Sequence, residues 1–412
     1  MSAAFTPFRS SLGVLRQGIF GWFMIAEFAS MSGSWMHSQS QQLVVEQQAR
    51  GSWEQAAVSA ATMLIIPLFS PLGGVLADRW DKRRILFGMI TLQALLAALV
   101  GWLVQTGQIQ LWHLLAIAAA LGVTAAFEIP AYSALIPELV PRAQLSAAVA
   151  IDRSVFHTAR IVGPALAGIF VTTWGAAATF YTNALSYIGP LIVLCFVAPR
   201  PQGTAEEEKS RQAGWADGWR HVRRDRPTFQ MVGIMAANTL FCSPFVIVLL
   251  TWYAERTLRL APWQTGWLMS ISGVGALTSS MAILAVPARQ RPAILRTGAA
   301  LSVLSMLGLA GAQGFWGAAV SITGLTLGLN LLFGVGNQLV QERAPDSIRG
   351  RVLSVSSMSF IAVIPFSGFL ASGLESWFGM RTALVACALA YALLSAFILG
   401  RSDLLHEQRA TR

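Results

Sequence analysis

Charge is what this 412-residue sequence has least of: 12% of its residues are Asp, Glu, Lys or Arg, while 55% are hydrophobic. A soluble domain needs more polar surface than that, so the composition excludes a globular soluble protein and implies an integral membrane one. Acidic residues are the scarcer sign, 19 against 29 basic ones. The resulting excess of +10 is scattered through short connections and forms no long basic face, so nucleic acid is not expected as a partner. Only three cysteines occur, Cys195, Cys242 and Cys387, each inside an apolar run where a thiol behaves as a small hydrophobe. No disulfide, metal site or cofactor is implied. Enzyme signatures are missing as well. There is no G-x-x-x-x-G-K-[ST] phosphate loop, no H-E-x-x-H and no G-x-S-x-G, so neither an ATP-driven pump nor a hydrolase is expected. Any transport by such a chain draws on an ion gradient.

What the sequence has in abundance is long apolar runs, each of about 20 residues, the length that crosses a hydrocarbon core of roughly 30 Å. Hydropathy places them at Gly18–Val45, Ala56–Ala77, Ile85–Val104, Leu111–Leu135, Ala147–Thr172 and Ala176–Val197. A second set follows at Thr228–Ala254, Thr265–Val286, Ile294–Ala312, Trp316–Gln338, Val352–Gly373 and Thr382–Leu399. The expectation is an all-α membrane protein of twelve transmembrane helices in two pseudo-symmetric six-helix bundles. With both termini cytoplasmic, the outward loops hold only Arg50, Arg256, Arg259 and Arg381, while almost every other Lys or Arg faces inward. The domain boundaries expected are 1–198 and 228–412 for the bundles and 199–227 for a cytoplasmic loop. In that loop Pro199 to Gly214 has nothing apolar to bury. Trp215 to Arg226 has the make-up of a helix lying on a membrane surface. An internal repeat supports the division, because Pro137-Glu138-Leu139-Val140-Pro141 is echoed by Gln341-Glu342-Arg343-Ala344-Pro345.

Between the second and third runs lies a short charged turn, Gly74-Val75-Leu76-Ala77-Asp78-Arg79-Trp80-Asp81-Lys82-Arg83-Arg84. Its glycine, its Asp-Arg pair and the basic residues after them resemble the signature between spans 2 and 3 of the major facilitator superfamily. The resemblance implies the major facilitator fold. It also implies that Gly74, Asp78, Arg79, Arg83 and Arg84, with Glu138 as a further partner, form a conformational latch at the cytoplasmic face. The segment Arg160-Ile161-Val162-Gly163-Pro164-Ala165-Leu166-Ala167-Gly168 is similar to the antiporter element of drug exporters in that superfamily, and Gly163, Pro164 and Gly168 match it. Where proton-driven drug exporters carry an Arg in span 4, this chain has Ala118, so coupling would run through other groups.

Polar residues inside the runs are the candidates for chemistry. Glu27, Ser30, Ser34, His37 and Gln41 recur at spacings of three and four, which sets them on one face of the first helix. An ionised side chain at mid-bilayer costs about 2.5–3.5 kcal/mol even on the mildest scale, so Glu27 must face a bundle interior or a wet cavity. Thr323, Thr326, Asn330 and Asn337 form a weaker stripe in span 10. The superfamily's central cavity is lined by spans 1, 4, 7 and 10, which makes Ser34, His37, Gln41, Asn238, Asn330 and Asn337 the candidate substrate contacts. Glu128 in span 4 and Asp152, Arg153, His157 and Arg160 in span 5 form a second constellation. For proton coupling the expected residues are Glu27, Glu128, His157 and Arg160, with Arg160 and His157 as partners of Glu27 and Glu128 as the competing carboxyl.

Over nearly its whole length the sequence resembles the branch of the superfamily that includes the bacterial enterobactin exporter. The residues concerned are the signature turn, Pro137-Glu138-Leu139-Val140-Pro141-Arg142, Arg160-x-x-Gly-Pro and Arg349-Gly350-Arg351-Val352. That resemblance implies a proton-driven exporter of a siderophore- or drug-like solute in a bacterial inner membrane, with small molecule, protons and bilayer as its partners and a monomer as its working unit. An importer or lipid flippase on the same fold competes with it. A non-transporting sensor or scaffold would need a larger soluble appendage than this sequence offers.

Overall fold

The computed structural model describes residues 13–16, 18–49, 51–141, 144–197, 215–285, 287, 290–345 and 349–400. Their regular secondary structure is entirely helical. The first half contains α1 (Gly18–Gln48), α2 (Ser52–Arg79), α3 (Lys82–Gln105), α4 (Leu111–Leu139), α5 (Leu145–Trp174), α6 (Ala176–Ser186) and α7 (Ile188–Phe196). The second contains α8 (Trp215–Arg224), α9 (Arg226–Cys242), α10 (Pro244–Ile247), α11 (Leu250–Trp252), a π turn (Tyr253–Thr257), α12 (Pro262–Ala285), α13 (Arg291–Gly311), α14 (Phe315–Arg343), α15 (Arg349–Ile361), α16 (Ile364–Phe378) and α17 (Met380–Gly400).

Among the described residues, nine helices are long and apolar enough to cross a membrane, with α6 and α7 taken as one. The three expected spans outside that set have physical reasons for falling short. Helix α1 carries the polar stripe. The run expected at Thr228–Ala254 is broken at Ser243 and again at Val248-Leu249, and the run at Val352–Gly373 is broken at Ala362-Val363. A proline follows the first break in each run within two residues, Pro244 in one and Pro365 in the other, and its missing N–H and fixed φ interrupt the helical ladder.

The chain folds as two compact units, Met1–Gln48 with Leu64–Lys209, and Ala49–Met63 with Ser210–Arg412. Each has its own apolar core, one around Phe20, Phe23, Leu86, Leu135 and Leu194, the other around Met231, Ile234, Leu325, Leu332 and Tyr391. The first turns of α2 belong to the second unit for a visible reason. Ser52 Oγ donates to Glu375 Oε2 at 2.5 Å, Ser372 Oγ donates to the Ser52 carbonyl at 3.1 Å, and Trp53 packs on Phe369 with ring centroids 5.7 Å apart.

The internal repeat is carried into the structure by two pairs of features. Lys82, which opens α3, pairs with Glu138 near the end of α4 at 2.9 Å, and Arg291, which opens α13, pairs with Glu342 near the end of α14. The one-residue connections after α5 and α16 are Gly175 and Gly379, with φ of 82° and 80°, a backbone region where a Cβ is strained.

Helix α8 differs from the expectation of a helix resting on the membrane surface alone. It packs against α15 and α9, with Val222 fully buried and Trp219 against the second core. Residues 198–214, the tail 401–412 and the side chains of Arg349 and Arg351 lie outside the described residues, as do Arg142 and the Asp78 side chain.

Candidate functional site

Close helix packing comes first, because it decides which polar faces meet. A Cβ added at Gly163 on α5 would lie 2.5 Å from Trp35 Cβ and 2.6 Å from the Ser32 carbonyl oxygen, so α5 rests directly on the backbone of α1. Pro164, Ala167 and Gly168 continue the same buried face. A Cβ at Gly73 would run into the Ala126 carbonyl oxygen, so α2 touches the backbone of α4 at that point. Gly74, by contrast, has nothing within 4 Å of such a Cβ. The glycine that packs in this conformation is therefore Gly73, and the signature glycine next to it stands in open space.

These seams turn the stripe of α1 inward. Glu27, Ser30 and His37 are buried, with Glu27 at 6% exposure, and Ser34 and Gln41 are half-buried, although the stripe belongs to a helix with exposed apolar residues such as Trp22 and Ile25. The carboxyls of Glu128 and Asp152 lie within electrostatic reach of Glu27, and Tyr132 is within reach of all three. Each of the other two acids has a neutral donor. Gln93 Nε2 on α3 donates to Glu128 Oε2 at 2.5 Å and to Thr124 Oγ1 at 3.2 Å. The Tyr132 hydroxyl donates to Asp152 Oδ1 at 2.6 Å. Further along the stripe Ser34 shares a hydrogen bond with the Tyr187 hydroxyl at 3.0 Å. His37 meets the Asn183 side-chain amide at 3.3 Å and sits edge-on to Phe180 at 4.8 Å.

The acid–base pairing expected from the sequence takes another form here. Arg160 lies over the Trp35 ring, 5.5 Å from its centroid, and among the described residues no ion pair joins it to Glu27. His157 packs edge-on against Phe156, with ring centroids 5.5 Å apart. The stacking is reasonable physically, since a guanidinium with little water around it finds the face of an indole one helix away. One buried carboxyl, Glu27, and two half-buried ones, Glu128 and Asp152, thus lie near one another with hydroxyl and amide donors between the helices. Ionised together they would repel one another, so the charge of the cluster is what a bound proton or cation would change.

At the signature turn, Glu138 is held by Lys82, whereas Arg83 donates to the Val197 carbonyl at 2.6 Å and Arg84 is exposed, 3.9 Å from Asp81. The short Asp81 caps α3 by accepting from the Arg83 backbone N–H. This fixes the helix start so that Lys82, one residue earlier than the arginines, points at α4. Arg79 remains at the exposed end of α2 with a further interaction of its own.

In the second unit the candidate asparagines are used structurally. Asn238 Nδ2 donates to the Leu329 carbonyl at 3.2 Å, Asn330 Nδ2 to the Thr326 carbonyl at 2.8 Å, and Asn337 Oδ1 accepts from Ser356 at 2.7 Å. The first bond ties α9 to α14 and the third ties α14 to α15. Reading the sequence missed Gln93, Thr124, Tyr132, Asn183 and Tyr187. A signal existed for Tyr132, four residues after Glu128 and so on its face, and for Gln93, a lone amide in an apolar helix.

The fold agrees with what comparison with known proteins finds. The crystal structure of a bacterial homologue of the human lysosomal transporter Spinster, in an inward-facing and unoccupied conformation, superposes with a TM-score of 0.77 at 11% identity, covering 95% of this chain and 98% of that one. An uncharacterised MFS-type transporter of Bacillus subtilis, YfiS, is 24% identical over 386 residues, 88% of each chain. The multidrug efflux pump Tap of Mycobacterium tuberculosis is 28% identical over 367 residues, 83% of this chain and 84% of its own. The family model described as transmembrane secretion effector matches residues 9–411. The chain is therefore a multi-pass membrane transporter, not an enzyme, and belongs to the transmembrane secretion effector family of the major facilitator transporters.

Proposed function

We propose that this protein is a secondary active exporter that moves a small organic solute out across a bacterial inner membrane by proton antiport, working as a monomer by alternating access. The observation that carries the reading is the buried Glu27 with the half-buried Glu128 and Asp152 within electrostatic reach of it, inside a chain whose relatives include a multidrug efflux pump. An antiporter needs a carboxyl that takes up a proton on one side and gives it up on the other. A cluster whose members cannot all be ionised at once supplies that property without a fixed arginine partner.

The topology that goes with this function has twelve spans in two halves, 1–198 and 228–412, with both termini cytoplasmic. It is supported by the distribution of Lys and Arg and by the repeated ion pairs and glycine turns. In it Gly74, Asp78, Arg79, Arg83 and Arg84 face the cytoplasm. The open space around Gly74 suits a residue whose packing partner belongs to another conformation of the cycle. Affinity with the enterobactin-exporter branch, and a siderophore as the solute, rest on the sequence motifs alone.

Purified protein in proteoliposomes tests the reading by comparing proton-gradient-driven efflux with gradient-free substrate exchange. Glu27→Gln and Glu128→Gln are expected to separate, one losing efflux while keeping exchange. If both variants keep full gradient-driven efflux, proton coupling through this cluster is refuted. Net uptake in wild-type vesicles of known orientation would favour the importer reading on the same fold.

A further inference from the structure

We propose that α8 is a docking surface for anionic phospholipid headgroups, holding the start of the second half to the inner leaflet. The helix has two faces. At about 100° per residue, Gly218, Trp219 and Val222 fall on one side and Arg220, Arg223 and Arg224 on the other. The first side is the packed one: Gly218 and Val222 are buried, and Trp219 rests on the core of the second unit. Arg220, Arg223 and Arg224 are exposed, and so is Arg226, which opens α9. Over residues 217–226 four arginines therefore stand against two aspartates.

One of those aspartates is already engaged. Asp225 caps α9 by accepting from the Thr228 backbone N–H at 3.1 Å, and it also accepts from Arg343 Nε at 3.1 Å and Nη2 at 3.3 Å. Arg223 is held in place as well, its guanidinium stacked 5.1 Å from the centroid of Trp219, which leaves the planar N–H fork presented outward at little entropic cost.

Position singles out the partner. Asp225 is the only residue between α8 and α9, and on the topology proposed above α9 opens the seventh span. At 1.5 Å per residue, the arginines lie within about 10 Å of that entry point, which is headgroup depth. A phosphodiester presents the oxygens that a guanidinium fork binds in pairs. Trp beside Arg at this depth is also the pairing that interfacial anchors use. Because α8 packs on α15, a headgroup held here would steady the start of that helix.

The test uses the purified full chain in detergent, where membrane orientation plays no part and a failure of the transport reading leaves the result untouched. Retention of phosphatidylglycerol and phosphatidylcholine is measured by native mass spectrometry, for wild type, for Arg220→Gln/Arg223→Gln/Arg224→Gln, and for the triple Lys replacement. Each arginine near an anionic headgroup is worth a factor of about five, so three give roughly a hundredfold at most. Wild type should prefer phosphatidylglycerol by at least about tenfold, the Gln variant should lose that preference, and the Lys variant should keep most of it. Equal retention of the two lipids by wild type, or an unchanged preference in the Gln variant, overturns the proposal. Displacement of phosphatidylglycerol by an acidic peptide at matched charge concentration also overturns it, by assigning the face to a protein partner.

Discussion

Gly163→Ala asks whether α1 and α5 are held at the separation that only glycine permits. The new Cβ would meet Trp35 Cβ at 2.5 Å, the Ser32 carbonyl oxygen at 2.6 Å and the Met36 nitrogen at 3.1 Å. Two of these three atoms are backbone, so no side-chain rotation relieves the clash and the helices must part. Overpacking of this kind costs about 1–3 kcal/mol. Alanine returns part of it, since glycine in a helix interior is less favourable than alanine by about 0.8–1.0 kcal/mol. The net expectation is a loss of up to roughly 2 kcal/mol. At about 2–4 °C per kcal/mol for a unit of some 200 residues, the midpoint of thermal unfolding in detergent should fall by a few degrees. The internal control is Gly74→Ala, whose Cβ meets nothing within 4 Å and should leave that midpoint unchanged or slightly higher. Transport should be impaired in both variants, in Gly163→Ala because the Arg160–Trp35 stack and the Glu27 stripe depend on the α1–α5 seam, and in Gly74→Ala because the proposed latch packs this glycine in another conformation. A Gly163→Ala protein as stable as wild type, or a Gly74→Ala protein destabilised as much, would refute the packing argument.

Two further outcomes follow from named interactions. Gln93→Leu keeps the volume near α4 but strips the Glu128 carboxyl of its donor, at a cost of about 1–3 kcal/mol. In a double-mutant cycle with Glu128→Leu the loss in the double variant should fall short of the sum of the single losses by about 1 kcal/mol or more, and simple additivity in unfolding measurements would show that the bond contributes nothing. Asp225 gives a pH dependence. Burial pushes its carboxyl up, but hydrogen bonds from Arg343 and Thr228 outweigh this and hold it below the usual carboxylate range. A depressed value in the folded state means that the stabilisation is complete above the unfolded value, near pH 4, and is lost as pH falls through the folded one. Wild type should accordingly lose thermal stability below about pH 4 more steeply than Asp225→Asn, which keeps a competent helix cap but gives up the charge pair; parallel curves would contradict the assignment.

The fold was legible because membrane burial writes itself into composition: runs of the right length, basic turns and a repeated Glu-x-x-Pro motif each have one simple physical origin. The ion pairs Lys82–Glu138 and Arg291–Glu342 show how far the repeat could be followed, since both glutamates stand in the repeated segment. Spans 7 and 11 were legible as hydrophobic lengths but not as broken helices, because hydropathy averages over Pro244 and Pro365 where the backbone does not. The site was half legible. Glu27 and Glu128 declare themselves by the cost of placing a carboxyl in hydrocarbon, a property of each residue alone. Which group answers them is a property of helix rotation, set by seams such as Gly163 on Trp35 and Gly73 on Ala126. Those seams turn Tyr132 and Gln93, not Arg160, towards the carboxyls. The difference matters chemically. An arginine partner would hold a carboxyl ionised through the cycle, whereas neutral donors leave the cluster free to change its charge as protons or solute come and go.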